Sequence, residues 1–276
     1  MPTILEACAA VRRDVERTSS GADDLAYFDL HERRFQRAAR RVVELVPSGS
    51  EILDIGGHYL HLSSILSLLG YRVSAMDVPV HATLPFVMDR AKQFGVTIHV
   101  VDEDRFAGGE FIDSVTDQFS AVMFCEILEH ITFNPIAFWR RVHQLIRPGG
   151  LIYLTTPNSV KLLSWLGALW NLTSMRRIGL SVNRIMESTT FGHHWKEYSA
   201  SEIVEYFARL SPDFRVSVTR IHYGRPNEDV ARALGPLRTT LLRIGNSTGY
   251  FADNLEAIVN VPHKTQWLAV QPKYGD

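Results

Sequence analysis

A chain of 276 residues, 46% hydrophobic and 21% charged, can bury one large α/β core or a core with a small cap, and a single domain over 1–276 is the expectation. The formal net charge of -1 gives no global attraction to nucleic acid or to a membrane surface, so nucleic acid is not an expected partner and any such contact would need a local patch. The two cysteines, Cys8 and Cys125, fall in a predicted helix and a predicted buried strand, which argues against a disulfide framework and for a reducing compartment, with the cytoplasm as the expected location.

The first residues lack the basic segment and long apolar run of a signal peptide, and no stretch offers about 18 uninterrupted apolar residues, so neither export nor a transmembrane segment is expected. Residues 3–17 and 24–46 read as two helices, the second started by Asp23-Asp24 and ended by Pro47-Ser-Gly49. That helix also carries Arg33, Arg34, Arg37, Arg40 and Arg41. They could meet an anionic substrate, but a solvated basic face is the simpler expectation.

Glu51 to Ile55 is then a strand, Gly56-Gly57 a turn, His61 to Gly70 a helix and Arg72 to Met76 a second strand closed by Asp77. Asp77 lies 23 residues after Asp54, about the spacing of a carboxylate that accepts hydrogen bonds from ribose hydroxyls. The turn is no dinucleotide fingerprint. His58, Tyr59 and Leu60 stand where further glycines would let backbone approach a pyrophosphate, so a cofactor without phosphates fits better.

A helix around Leu84 to Phe94 leads to a short strand, Thr97 to Val101, ending in Asp102-Glu103-Asp104. Ser120 to Cys125 is nearly all apolar, as a parallel strand buried on both faces should be, and Glu126-Ile-Leu-Glu-His130 follows it at the strand's carboxyl end, where an open α/β sheet holds ligands. Asn134-Pro135 opens the next helix and Arg147-Pro-Gly-Gly150 closes it, before a fifth strand from Leu151 to Thr156 and Pro157-Asn158.

From 159 the αβ rhythm breaks. Lys161 to Trp170 is apolar with two tryptophans and is followed by Met175-Arg-Arg177, which suits a substrate lid or, alternatively, peripheral membrane contact through 160–177. Phe191-Gly-His-His-Trp-Lys-Glu-Tyr-Ser199 precedes a helix over Ala200 to Leu210, and Phe214 to Tyr223 should be strand six. Residues 225–245 read as a helix or helix pair, and 256–261 with 266–271 as a terminal hairpin.

Asp54-Ile-Gly56, the Glu126-x-x-Glu-His130 tail and the phrase from Ile146-Arg-Pro-Gly-Gly150 to Thr156-Pro-Asn158 occur in this order over 51–158, and together they resemble class I S-adenosylmethionine-dependent methyltransferases, including the ubiquinone-biosynthesis O-methyltransferase group. The resemblance implies a Rossmann-like, seven-stranded, mostly parallel sheet with helices on both faces and an antiparallel last strand. It divides the chain into N-terminal helices (1–48), a cofactor-binding core (49–158), a helical lid insertion (159–198) and the C-terminal part of the sheet (199–276). It also implies S-adenosylmethionine as cofactor, held by Asp54, Gly56, Gly57, His58, Asp77, Asp102 (on the adenine amine) and Glu126. The expected reaction is methylation of a small-molecule hydroxyl on a saccharide, lipid-linked or secondary metabolite. A histidine near neutral pKa suits removal of the hydroxyl proton, and the candidates are His130, His194 and His193.

Two alternatives stand beside this reading. A metal held by Glu126, Glu129, His130, His193 and His194, as in RNA-end methyltransferases with the same Glu-x-x-Glu-His phrase, is not expected, because adjacent histidines are poorly spaced as two ligands from one face. A catalytically silent binding protein on the same fold would be marked by loss of cofactor from the altered turn.

Overall fold

A computed structural model of the chain describes residues 1–18, 22–112, 115–161, 193–223 and 252–272, with isolated positions 169–170, 173–174, 186 and 240 between them. Most of the expected lid, including the tryptophan-rich stretch and Met175 to Arg177, and nearly all of the expected helix over 225–245 lie outside the described residues.

Helices α1 (Ile4–Thr18) and α2 (Ala22–Leu45) lead into β1 (Glu51–Ile55), α3 (His61–Leu68) and β2 (Arg72–Asp77). Next come α4 (Pro79–Ala82), α5 (Pro85–Phe94), β3 (Thr97–Val100), α6 (Glu103–Gly108) and β4 (Phe119–Cys125). A 3-10 turn (Leu128–His130), α7 (Ile136–Leu145) and β5 (Ile146–Pro157) follow, and then α8 (Ala200–Leu210), β6 (Arg215–Ile221) and β7 (Asn254–Val261). Local chemistry sets several boundaries. Proline opens α4 and α5, where a missing N–H costs nothing, Gly95 at φ 67° ends α5, and Ser199 with Glu202 forms a reciprocal capping box on α8.

One seven-stranded sheet runs in the order β3-β2-β1-β4-β5-β7-β6. The first five strands are parallel, and β7 pairs antiparallel with both β5 and β6. The anticipated terminal hairpin is therefore not formed. Residues 266–271 are not strand, and β7 inserts between β5 and β6, where five of its eight residues in a row are buried.

Alternation along the strands divides the core. Ile52, Val73, Ala75, Ala121, Met123 and Tyr153 pack under α1, α2, α3 and α5, while Leu53, Ile55, Met76, Val122, Phe124, Ile152 and Leu154 pack with Phe138, Trp139 and Phe207 of α7 and α8. Each of the larger aliphatic, Met and Phe side chains contributes about 1.5–3 kcal/mol on burial. Because β1 leads to β2 and β3 on one side while β4 and β5 lie on the other, strand order reverses between β1 and β4. The register Ile55 to Phe124 brings the turns after these two strands out side by side.

The N-terminal helices are fixed over this point by a buried charge network. Arg90 of α5, fully buried, donates to Asp14 Oδ2 (2.9 Å), Asp24 Oδ2 (2.8 Å) and the Tyr59 carbonyl (2.7 Å), and Asp24 also meets His61 Nε2 at 2.8 Å. Removing the cation leaves the buried carboxylates of Asp14 and Asp24 with only Arg17 and His61, respectively, as partners. Arg90→Ala should therefore cost about 3–5 kcal/mol in urea unfolding; a loss below about 1 kcal/mol would show that the helices dock without it.

Candidate active site

After β1 the chain must turn within a crowded space. Gly56 has φ 72°, its N–H donates to the Met76 carbonyl (2.8 Å), and a Cβ added there would lie 2.3 Å from Ile127 Cδ1, so glycine permits the turns after β1 and β4 to touch. His58 (φ 47°) and Leu60 (φ 60°) also lie in the left-handed region, where side chains other than glycine carry strain. Part of that strain is offset at Asp77. Its Oδ2 accepts from the His58 N–H (2.6 Å) and its Oδ1 from the Val78 N–H (2.7 Å). Burial nonetheless pushes the Asp77 carboxyl up, against those two hydrogen bonds and the His81 charge.

These groups wall a cavity of about 330 Å³ lined also by Val78, Glu103, Phe106, Glu126, Ile127, His130 and Phe133. Gly56, His58, Tyr27 and His81 also line it. Gly57 and Asp54 line a smaller adjoining recess with Arg34, Tyr27 and Cys125. Asp54 is buried beneath the turn, where its Oδ2 accepts from Ser63 Oγ at 2.5 Å, tying β1 to α3.

The structure departs from expectation at two of these positions. Asp102 is exposed at the N-cap of α6 and does not line the cavity; the helix begins one residue later, and Glu103 is the acid that does. The arginines of α2 do not form one solvated face. Arg33 and Arg40 are exposed, but Arg37 pairs with the buried Glu256 (2.7 Å), and Arg34 is only 8% exposed. Arg34 donates to the Tyr27 hydroxyl (2.8 Å), while its Nε is buried without a hydrogen-bond partner and, among the described residues, it forms no ion pair. The sequence held a signal for it: Tyr27, Arg34 and Ala38, seven and four residues apart, share one helical stripe, and all three line the recess.

On the loop after β4, Glu126 has φ 58°, and its Oε1 is likewise buried without a partner. His130 Nδ1 lies 2.9 Å from the His193 carbonyl, and burial lowers the pKa of its ring. His194 approaches to 5.0 Å between ring centroids, with its Nδ1 3.1 Å from Glu197 Oε1. The ring of His193 instead packs on Trp195, and its Nδ1 has no hydrogen-bond partner. The structure thus brings together His130 and His194 but sets the His193 ring apart. Glu129, which sequence reading left without a role of its own, is 1% exposed, accepts from Thr156 Oγ1 (2.8 Å), and has its carboxyl pushed up to about 7 by burial and then by the charge of Glu126.

A family model described as a methyltransferase domain matches residues 30–211. The chain belongs to this methyltransferase family. It is 32% identical to the ubiquinone biosynthesis O-methyltransferase of Ruegeria pomeroyi over 111 residues, 40% of this chain and 42% of that protein. It is 29% identical to the enzyme of the same name from Pseudomonas aeruginosa over 40% of this chain and 46% of that one. The matches span less than half the length of these relatives. Among solved structures, it resembles the putative methyltransferase bound to the Trm112 activator of Haloferax volcanii (14% identity, TM-score 0.57, 91% of this chain and 98% of that one). It also resembles phosphoethanolamine N-methyltransferase 2 of Haemonchus contortus in complex with S-adenosyl-L-methionine (17%, TM-score 0.52, 92% and 60%). These likenesses show the class I methyltransferase fold.

The residues present fit the cofactor that this fold implies. Asp77 retains acceptor capacity for a ribose diol after its two backbone bonds. Val78 and Phe106 offer an apolar slot with Glu103 beside it, and Arg34 with its unsatisfied Nε stands next to the glycine turn, where a carboxylate would pair with it.

Asp54 generates a pH prediction. Burial, and then the Asp77 charge, push its carboxyl up to about 7 despite the Ser63 bond. The native state therefore binds more protons than the unfolded chain between about pH 4 and 7, and stability is lost as pH rises through that window. Asp54→Asn removes this contribution, so the variant should gain on the parent chain by at most about 1.4 kcal/mol per pH unit in urea titrations from pH 4.5 to 6.5; parallel curves would contradict the assignment.

Proposed function

We propose that the chain is an S-adenosylmethionine-dependent methyltransferase that methylates a hydroxyl oxygen of a small molecule, of a saccharide, lipid-linked or secondary-metabolite kind. The observation that carries this reading is the continuity of one site between the clamped carboxylate of Asp77, the buried guanidinium of Arg34 and the histidine cluster at His130. The named activity of the curated relatives, ubiquinone biosynthesis O-methylation, supports oxygen as the accepting atom.

When bound, S-adenosylmethionine supplies an electrophilic methyl group on a sulfonium. The chain's own part is positional. Asp77 and Arg34 would fix the two ends of the cofactor and so aim its centre along the cavity, and alignment of this kind contributes about 7–11 kcal/mol to such displacements. Ile127, Ile131, Phe106 and Phe133 line the apolar wall and exclude water, and the acceptor's proton would depart at the polar end formed by Glu126 and His130. The orphaned Arg34 Nε and Glu126 Oε1 weigh against a silent binding protein that has lost its cofactor, since each unmet buried group costs about 1–3 kcal/mol unless a ligand meets it.

The test is transfer of labelled methyl from S-adenosylmethionine to a panel of phenolic and sugar hydroxyls. Turnover of at least one class is expected. Asp77→Ala and Arg34→Met should each raise KM for S-adenosylmethionine by roughly 10- to 100-fold, the equivalent of about 1.5–3 kcal/mol for a hydrogen bond to a charged group. An unchanged KM would remove that residue from the site, and binding without transfer to any acceptor would favour the silent reading.

A further inference from the structure

The turn between β1 and α3 is held by groups that lie outside it. His58 at φ 47° and Leu60 at φ 60° occupy the left-handed region, which side chains enter only where the surroundings impose it. Asp77 holds the His58 N–H from one side. From the other, Tyr59, between the left-handed pair, accepts at its carbonyl from Arg90 Nη1 (2.7 Å) and lays its ring 5.3 Å from that of Phe86, over which the Arg90 guanidinium also stands (5.6 Å). His61, which opens α3, brings Nε2 to 2.8 Å from Asp24 Oδ1, while Asp24 Oδ2 accepts from Arg90 Nη2 at 2.8 Å.

The three nitrogens of Arg90 therefore serve three segments: Nε serves Asp14 of α1, Nη2 serves Asp24 of α2, and Nη1 serves the turn. The first two bonds dock helices. The third acts on the turn, whose residues His58, Tyr59 and His61 line the recess while Arg90 and Asp24 line neither the recess nor the cavity. We propose that Arg90, together with Asp24, is a positioning residue for the cofactor. By fixing the Tyr59 carbonyl and the His61 ring it sets the path of the turn, and with it the place of His58 in the wall of the site. This deepens the proposed function and rests on it for the identity of the ligand. A turn shaped in advance binds without the cost of ordering it. Lysine cannot replace the planar fork, because an ammonium is a single point drawn to the two carboxylates and does not also span to the carbonyl.

The test compares the intact chain with Arg90→Lys and Asp24→Asn, and with His143→Gln, which breaks a buried contact to Asp213 (3.1 Å) remote from the turn. Measurements are made where circular dichroism shows each variant folded. The readouts are the calorimetric Kd for S-adenosylhomocysteine and, without ligand, hydrogen exchange across residues 55–64. Arg90→Lys and Asp24→Asn should raise Kd by roughly 10- to 100-fold and speed exchange in the turn by at least about 10-fold. His143→Gln should lose stability and change neither readout. A parental Kd in folded Arg90→Lys and Asp24→Asn, or an equal rise in His143→Gln, overturns the positioning role. If the parent chain binds no S-adenosylhomocysteine, the methyltransferase reading fails, and exchange alone decides the role of Arg90: faster exchange in the turn keeps it and parental rates overturn it.

Discussion

The carboxylate of Asp77 joins the end of β2 to the turn after β1 through the N–H groups of His58 and Val78, and the site depends on that junction. It holds His58 in its left-handed conformation, while the Gly56 N–H bond to the Met76 carbonyl keeps the turn against Ile127 of the loop after β4. The same carboxylate lines the cavity. One group therefore shapes the turn and faces the cavity, in a turn where His58 and Tyr59 stand in place of further glycines.

Around this junction the chain spends buried charge to bring distant segments together. Arg90 with Asp14 and Asp24 holds the N-terminal helices over the switch between β1 and β4. Arg37 on Glu256, which also accepts from the Tyr153 hydroxyl at 2.9 Å, ties α2 to the antiparallel half of the sheet. Such pairs add little net stability compared with apolar packing, but breaking one is costly, so they act as register pins. Their consequence for function is Arg34, held in the recess beside the glycine turn by the same helix.

The parallel half of the sheet was legible because apolar runs, the glycine turn and the proline-started helices are local signals, and β1 to β4 and α8 fall where the pattern places them, while β5 starts at Ile146, five residues before the expected Leu151. Three features were not. β7 looked like half of a hairpin because its partners, β5 and β6, lie far away in the chain or across the 224–251 segment, and pairing over such distances leaves no local mark. Arg34 read as solvated because a charge on a helix is buried only if another element covers it. Glu103 rather than Asp102 lines the cavity because a helix, α6, starts at Glu103 with Asp102 as its N-cap, and the run of three acids does not mark that start. Among the histidines, sequence could name the candidates but not their orientation, which the His193 carbonyl and Glu197 set.

The central claim is that this altered turn still forms a site for S-adenosylmethionine. Calorimetric titration of the intact chain with S-adenosylhomocysteine, with NADH as a control, tests it most directly. One site of micromolar Kd for the first and no heat from the second is the predicted result; no binding of S-adenosylhomocysteine by the folded chain would contradict the account.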